Sequence, residues 1–329
     1  MSDHGAWPDR LTEVFERSIA VEYGSLTRSG RPVTVPVTPY VGATGRTLDI
    51  STGLTYPAKA DRARGNPKVC LLFADPIGAG MNDLPVVLVQ GTAAVRDADL
   101  QGNMDRYVKL AEVKYPETTK GVPKVALARM AYYYARIWVE VTPLRMRWWP
   151  DRHLGSRPLE WVAPVDTVPP TSDPPPTGPP PPAWRQPPAD WRPLVRTALE
   201  HLALCDLSTV DADGYPVCLP VQPGALDGDR LAVRLGSGGP DLAPGPACLT
   251  LHTHGTTFDG QENRTLVGQL VVEAEGSRFV IERALGDWSL PGNKLQMMMA
   301  FLGTAPKLAP RLKAEAARRG QPVPKMRFR

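Results

Sequence analysis

The chain has 329 residues, 42% of them hydrophobic and 22% charged, which excludes a wholly disordered protein and fits two ordinary domains. Proline is in excess at 37 residues, about 11% where about 5% is usual, but glycine has no three-residue period, which excludes collagen. The net charge of +4 is uneven, because residues 294–329 hold nine Lys or Arg against one acid.

Membrane and secreted classes are not favoured either. No apolar run reaches the roughly 18 to 20 residues that span a bilayer, and the N-terminal segment is polar. The four cysteines, Cys70, Cys205, Cys218 and Cys248, form neither a CxxC pair nor a disulfide framework. We therefore expect a soluble cytoplasmic protein that does not engage a membrane.

Residues 1–155 predict a mainly β domain with some helix. Hydrophobic periodicity and turn signals predict, in chain order, a helix at 11–19, a hairpin at 20–41, a strand at 47–52, a short helix at 57–64, strands at 69–74 and 86–95, a helix at 100–111 and a strand at 137–141. Six strands with few helices predict a barrel.

Residues 156–192 are rich in proline and predict a linker. Thirteen prolines lie between Pro164 and Pro193, a composition that favours polyproline II and cannot bury a core. We interpret the segment as a semi-rigid spacer, although its PxxP spacing also allows a partner to dock. The second domain is then 193–329.

This second domain repeats the first. Six identities in ten positions recur 184 residues later: Gly30, Pro32, Val33, Pro36, Val37 and Pro39 return as Gly214, Pro216, Val217, Pro220, Val221 and Pro223. With small shifts the match extends to Cys70 and Cys248, to Gly91 and Gly268, and to Arg136 and Arg278. The chain therefore predicts a tandem duplication of one β-rich fold.

The segment 48–73 holds the candidate binding residues. A strand ends in the hydroxyls Ser51 and Thr52, and the next helix carries Lys59, Arg62 and Arg64. Strand-end hydroxyls and backbone N–H groups followed by cations are suited to a phosphate. The alternative is a solvated helix with a basic face.

Four short motifs in this order resemble the split-barrel flavoproteins, a group with the pyridoxamine 5′-phosphate oxidase-like proteins and their deazaflavin-using relatives. They are G-R-P-x-x-x-P-V, a strand ending in S-T, A-K-x-x-R-x-R-x-N-P-x-V and V-x-G-T-A, and the resemblance covers nearly all of residues 15–150. Together with the repeat it implies two tandem split β-barrels and a cofactor that is FMN or, alternatively, a deazaflavin coenzyme.

The resemblance also implies roles for residues. It assigns the cofactor phosphate to Ser51, Thr52 and Lys59, with Arg62 and Arg64 as further candidates, and offers Thr38 and Gln90 as candidates for contacts to the ring. The stretches PVTVPVT and DLPVVLVQ lack the basic and amide residues of pyridoxamine phosphate oxidases, which argues against the vitamin reaction.

The second copy lacks the basic loop. Its corresponding residues, 235–247, contain no Lys or Arg, so a phosphate there would have no counter-charge. Because split-barrel flavoproteins are usually dimers, we expect the two copies to form that dimer within one chain, with a homodimer of whole chains left open. One cofactor would then lie on the first barrel, covered by the second.

Two further features are open to more than one interpretation. Cys248, His252 and His254 lie on one face of a predicted strand, but a convincing fourth ligand is absent, so we interpret an outward strand face and predict no metal. The aromatic residues Tyr132, Tyr133, Tyr134, Trp138, Trp148 and Trp149 are suited to stacking on a ring, but core and interface are the favoured interpretation.

The basic tail predicts one short amphipathic helix followed by extended residues. It is interpreted as a solvated helix, as cations for an anionic cofactor tail, or as a nucleic-acid contact, which no recognised motif supports. The turn-rich residues 286–294 are a candidate lid.

The function that these features favour is a flavin- or deazaflavin-dependent oxidoreductase acting on an unknown small molecule. No constellation of His or carboxylate residues in the first domain marks a catalytic acid. The alternatives are a non-catalytic carrier or sensor of the cofactor and a nucleic-acid-associated protein with a vestigial barrel.

Overall fold

The computed structural model describes residues 7–81, 83–116, 123–182, 187, 190–257, 259–274 and 276–327. The strands of the first half are β1 (Val21–Leu26), β2 (Pro32–Val37), β3 (Pro39–Val41), β4 (Leu48–Gly53), β5 (Lys68–Phe73), β6 (Val86–Arg96), β7 (Arg136–Trp149) and β8 (Leu159–Val162). Those of the second half are β9 (Leu204–Val210), β10 (Pro216–Pro220), β11 (Gln222–Asp227), β12 (Arg230–Arg234), β13 (Gly245–Thr253), β14 (Glu262–Glu273) and β15 (Gly276–Ser289). The helices are α1 (Asp9–Arg17), α2 (Ala58–Gly65), α3 (Leu100–Lys114), α4 (Lys124–Arg129), α5 (Ala131–Tyr134), α6 (Arg192–His201) and α7 (Lys294–Arg318).

The two sheets have the same topology. The first has the strand order β2-β1-β5-β6-β7-β4-β3, and the second has β10-β9-β13-β14-β15-β12-β11, which is the first order with eight added to each strand number. Every pairing is antiparallel, and both sheets curl into half-barrels. The predicted architecture of two tandem split barrels is confirmed.

The repeated Gly-Pro motif forms the same turn in both copies. Gly30 and Gly214 have φ angles of +76° and +77°, a conformation that costs glycine little and other residues more. Each closes a hairpin through a backbone hydrogen bond to the residue three positions earlier, Thr27 in one copy and Asp211 in the other. The glycine that recurs in both copies therefore lies where the backbone conformation favours glycine.

The barrels pack on each other through β1, β2 and β5 of the first and β9, β10 and β13 of the second. Buried side chains from both halves form one shared cluster, consisting of Cys70, Leu72, Val86, Leu88, Trp149, Leu154, Val217, Cys218 and Leu219. A buried hydrogen bond of 2.5 Å joins Thr34 Oγ1 to Ser208 Oγ across the contact. The two halves of the chain are therefore in direct contact through buried side chains.

The predicted linker is attached to the first barrel rather than free. Residues 159–162 form β8, which pairs with β7, and Asp173 Oδ2 accepts hydrogen bonds of 2.8 Å from the backbone N–H groups of Asp97 and Ala98. Because proline lacks a donor, the segment contributes mainly its carbonyls and a few polar side chains. Residues 183–186, 188 and 189 of the linker lie outside the described residues.

The basic tail differs from its prediction. It forms the 25-residue helix α7, which runs through Pro306 and Pro310 and begins with Asn293 accepting hydrogen bonds from the next turn. Phe301, Leu308, Leu312 and Ala316 are buried in the core of the first barrel, so a solvated helix is wrong. Packing of this apolar face offsets the two backbone donors that the prolines remove.

Charged residues hold the end of α7 in place. Glu315 is fully buried and lies 2.6 Å from Arg319, whose Nε also lies 2.9 Å from Asp97 of the first barrel. Residues 286–289, the start of the candidate lid, instead end β15 and pair with β14. Among the described residues, no helix combines the length and apolar character needed to cross a membrane.

The shared cluster predicts that the barrels are stabilised together. Leu219→Ala should lower the free energy of unfolding by about 2–5 kcal/mol, because it leaves a cavity in a fully buried contact. Urea denaturation followed by tryptophan fluorescence and by circular dichroism measures this. Val113→Ala, at a side chain 78% exposed, is the control, and an equal effect of the two changes would contradict a shared core.

Candidate anion-binding site

The segment from β4 to α2 places the predicted residues on one side of the first barrel. Helix α2 packs on the sheet through Ala60 and Ala63, which are buried. Lys59 and Arg62 lie three residues apart on the neighbouring face, where side chains of a helix meet. The strand–turn–helix arrangement predicted for this segment is confirmed.

Lys59 is a half-buried cation with no carboxylate against it. No ion pair or hydrogen bond of its amine is found among the described residues. Burial, reinforced by the nearby positive charges of Arg62 and Arg136, lowers the pKa of Lys59 to about 8. The surroundings of the Lys59 amine therefore disfavour its charged form.

Two arginines complete a group that we call the cation cluster: Lys59, Arg62 and Arg136. Arg62 Nε donates a 2.9 Å hydrogen bond to Ser25 Oγ, and burial lowers the pKa of this arginine. Neither arginine forms an ion pair with a described residue. Three cations thus share a site without an acid to neutralise them.

Arg136 is held by aromatic rings. Its guanidinium carbon lies 4.1 Å from the ring centroid of Tyr107 and 4.5 Å from that of Tyr133, and Nη2 donates a 2.9 Å hydrogen bond to Tyr107 Oη. Its buried Nε has no hydrogen-bond partner among the described residues. The rings fix the guanidinium while leaving part of its donor capacity unused.

The strand-end hydroxyls have different roles. Thr52 is buried, and its Oγ1 donates a 2.8 Å hydrogen bond to the carbonyl of Tyr56, so it stabilises the turn. Ser51 is half-buried and lies on the same strand face as Gly53, beside which the Arg136 guanidinium lies. Of the two hydroxyls, Ser51 is the one on the strand face beside Arg136.

Three of the predicted residues lie in other contacts. Arg64 Nη2 lies 2.7 Å from Asp97 Oδ1, and Nη1 donates to the carbonyl of Asp173, so this arginine fixes the linker. Thr38 Oγ1 hydrogen-bonds with Tyr115 Oη at 2.8 Å. Neither side chain is brought together with the cation cluster by the contacts that the structure describes.

Gln90 lies in the contact between the barrels. It is buried, its Nε2 donates a 2.9 Å hydrogen bond to Asp211 Oδ2, and its Oε1 accepts one of 2.8 Å from Arg145. Arg145 in turn lies 2.7 Å from Asp211. An amide satisfied in this way holds the two halves together, and its assignment to the cofactor ring finds no support in these contacts.

Among the described residues of the second copy, the equivalent of Arg136 is paired with an acid. Arg278, the repeat equivalent of Arg136, lies 3.0 Å from Glu273, which neutralises it. The loop that replaces the basic segment packs against the first half of the chain. Gly238 N–H donates a 2.6 Å hydrogen bond to the carbonyl of Leu154, and the carbonyl of Gly238 accepts one of 2.9 Å from Trp149.

Helix α7 lies next to the turn of the first site. Arg311 Nε donates a 2.6 Å hydrogen bond to the carbonyl of Thr55, and Tyr132 Oη donates one of 3.0 Å to the carbonyl of Phe301. The element that covers this turn therefore comes from the C-terminal tail. Arg136 and α7 are the parts of the site that sequence reasoning missed, although the repeat itself marked Arg136 by its match to Arg278.

The histidines of β13 do not form an outward face. His252 and His254 are both buried, and the thiol of Cys248 accepts a hydrogen bond from the backbone of Thr34 instead of joining them. His254 Nε2 lies 2.6 Å from Asp75 Oδ2. The strand face was predicted correctly, but the first barrel covers it.

A pH-dependent stability follows from Lys59. Its pKa is near 10.5 in an unfolded chain and about 8 in the folded one, so below pH 8 the folded state carries an unfavourable charge. Replacing it with Met should raise the free energy of unfolding at pH 7 and give a gain that shrinks as pH rises from 8 to above 10.5. Urea denaturation of Lys59→Met and wild type at several pH values measures the difference, and Lys109→Met, at an exposed lysine, is the control. A gain that does not change with pH would contradict the assignment.

Solved structures resemble parts of this chain. A putative pyridoxamine 5′-phosphate oxidase from Listeria innocua is 17% identical, with a TM-score of 0.31, and the alignment covers 44% of this chain and 98% of that one. An F420 reductase is 19% identical, with a TM-score of 0.33, over 43% of this chain and 98% of that one. A pyridoxamine 5′-phosphate oxidase-related FMN-binding protein from Nostoc punctiforme is 13% identical, with a TM-score of 0.32, over 44% of this chain and 84% of that one.

No protein-family model and no curated protein matches the sequence. The solved structures are of the same kinds of protein that the four sequence motifs resemble, and each is similar to about half of this chain.

Proposed function

We propose that the cation cluster binds the phosphate of FMN or of a deazaflavin coenzyme, and that the protein is an oxidoreductase acting with this cofactor on a small molecule. The observation that carries the proposal is the group of three cations, Lys59, Arg62 and Arg136, without a carboxylate among the described residues to neutralise them. Such a group is unfavourable in the free protein and becomes favourable when a dianion binds.

The donor set fits a phosphate. A phosphate monoester offers three acceptor oxygens, which Lys59, Arg62 and the free Nε–H of Arg136 match with charge-assisted hydrogen bonds. Ser51 adds a neutral hydroxyl from the strand end. No acid of the cluster opposes an anion, which separates this site from a surface ion-pair network.

The cofactor would supply hydride or electron transfer, and the protein would supply binding and exclusion of water. Helix α7, fixed over the turn by Arg311, is the element suited to exclude water from the phosphate end. Because Thr38 and Gln90 are engaged elsewhere, we assign no residue to the ring and none to catalysis.

We further propose one cofactor per chain. The second position has its arginine neutralised by Glu273 and its loop packed against Leu154, so it lacks a counterpart of the unneutralised Arg136. The duplication would then have kept one binding half and one supporting half.

A non-catalytic carrier or sensor of the same cofactor is the second candidate. This candidate is favoured because Thr38 and Gln90, the residues predicted to contact the ring, are hydrogen-bonded to other described residues instead. Nucleic-acid binding by the tail loses support, because the buried Arg319 is engaged within the protein.

Cofactor binding tests the site directly. Lys59→Met and Arg136→Met should each weaken binding of FMN by about 10- to 100-fold, because each removes a charge-assisted hydrogen bond of about 1.5–3 kcal/mol. Isothermal titration of the purified chain with FMN should give one site. Arg278→Met is the matched control at the equivalent position of the second copy, and it should leave the affinity unchanged.

An equal loss in the Arg136 and Arg278 variants, or two equal sites per chain, would contradict the proposal. The same titration with a deazaflavin coenzyme decides which cofactor binds more tightly.

Redox turnover separates the enzyme from the carrier. If the protein is an oxidoreductase, the bound chromophore should be reduced by NAD(P)H or by reduced deazaflavin and reoxidised by an acceptor, in a cycle followed by its absorption spectrum. A chromophore that binds with the one-site stoichiometry above but never cycles would support the carrier. A colourless protein that takes up neither cofactor would contradict both.

A further inference from the structure

A second cluster of ionisable groups is buried between the barrels. His252 Nε2 lies 3.1 Å from Glu22 Oε1 and 3.3 Å from Asp206 Oδ2, and the three side chains are at most 5% exposed. Their ligand atoms all lie within 4.8 Å of one another. Neither the sequence motifs nor the proposed cofactor site uses these residues.

The two acids are equivalent positions of the duplication. Glu22 on β1 and Asp206 on β9 are 184 residues apart, the offset of the Gly-Pro repeat. They also pair with equivalent strand positions, Leu72 on β5 and Thr250 on β13. The contact between the copies therefore brings two homologous carboxylates together, where like charges repel.

A histidine breaks the symmetry of this pair. Two residues beyond Leu72 and Thr250 the first copy has Ala74 and the second has His252. The histidine thus adds one nitrogen donor to two carboxylates from opposite halves. The nitrogen ligand is present only because the second copy has a histidine where the first has an alanine.

The cluster is not satisfied by the protein alone. Both oxygens of Glu22 and Nδ1 of His252 are buried without a hydrogen-bond partner among the described residues. Glu22 lies 3.1 Å from His252, but a buried carboxylate whose oxygens lack hydrogen bonds is costly. The nearby Asp75 adds negative charge, and its Oδ2 lies 2.6 Å from His254 Nε2.

There is room for a bound ion and water. Glu22, Asp206 and His252 line a cavity of about 110 Å³ between the barrels, and the exposed Arg152 lines its outer wall. Ligands at about 2.0–2.2 Å from a tetrahedral ion lie about 3.3–3.5 Å apart. The observed separations of 3.1 and 3.3 Å are close to that spacing.

We propose that Glu22, Asp206 and His252 bind one divalent transition-metal ion between the two barrels. One nitrogen and two carboxylate oxygens are ligands of the kind that Zn²⁺ and similar ions accept, and the cavity supplies the open coordination position. The dication neutralises the two carboxylates, and the oxygen atoms of Glu22 that lack a hydrogen-bond partner coordinate it. The ion also links the two copies through ligands from both.

The test uses the full chain, stripped with a chelator and titrated with Zn²⁺ alone or with Co²⁺ alone. Isothermal titration should give one ion per chain, and Co²⁺ should give visible d–d absorption of a site with nitrogen and oxygen ligands. His252→Ala, which places in the second copy the residue that the first has at Ala74, should weaken binding at least about tenfold. Glu22→Gln should do the same while keeping the side-chain shape.

His201→Ala removes a histidine that is 43% exposed and serves as the matched control; it should bind as wild type does. Circular dichroism checks that each variant is folded. Equal affinity in wild type, Glu22→Gln and His252→Ala, or no saturable binding to folded wild type, would overturn the proposal. These outcomes are independent of FMN binding, since the proposed metal ligands include no residue of the cation cluster.

Discussion

The contact between the two barrels is the constraint on which the rest of the structure depends. Its hydrogen bonds recur by symmetry: the backbone of Cys218 bonds with the Cys70 thiol, and the backbone of Thr34 bonds with the thiol of Cys248, the repeat equivalent of Cys70. A self-complementary contact of this type is what a homodimer of single barrels would use. Within one chain it packs β1 against β10 and β2 against β9 and β13, and it brings Glu22 close to Asp206.

Joining both halves in one chain allows them to differ. The first copy keeps an unneutralised Arg136, while the second pairs Arg278 with Glu273. The second copy supplies His252 where the first has Ala74. A symmetric dimer of identical barrels would carry each feature twice, whereas this chain places one cation cluster and one Glu22–Asp206–His252 cluster at different locations.

Much of the fold could be predicted from the sequence because its signals are local. The turn at Gly30 requires a positive φ, and its recurrence at Gly214 identified the duplication before any contact was known. The segment that carries Lys59 could also be placed at the end of a strand, because its signals are local as well. What remained ambiguous was decided by packing between distant segments.

The failures share this physical cause. The apolar face of α7 showed that the helix is amphipathic but not that it packs on the first barrel through Leu308. Alternation placed His252 on a strand face, yet only the docked partner barrel decides whether that face is buried. Gln90 and Arg64 are polar residues of the kind that bind cofactors, and their partners Asp211 and Asp97 are distant in sequence.

We propose above all that the two barrels have one anion-binding site, formed by Lys59, Arg62 and Arg136. The most direct measurement is a crystal soaked in tungstate, an oxyanion whose anomalous scattering locates it without any assumption about the cofactor. The account predicts one strong anomalous peak within contact of these three side chains and none beside Arg278. A peak beside Arg278 of equal height, or none at the cation cluster, would contradict it.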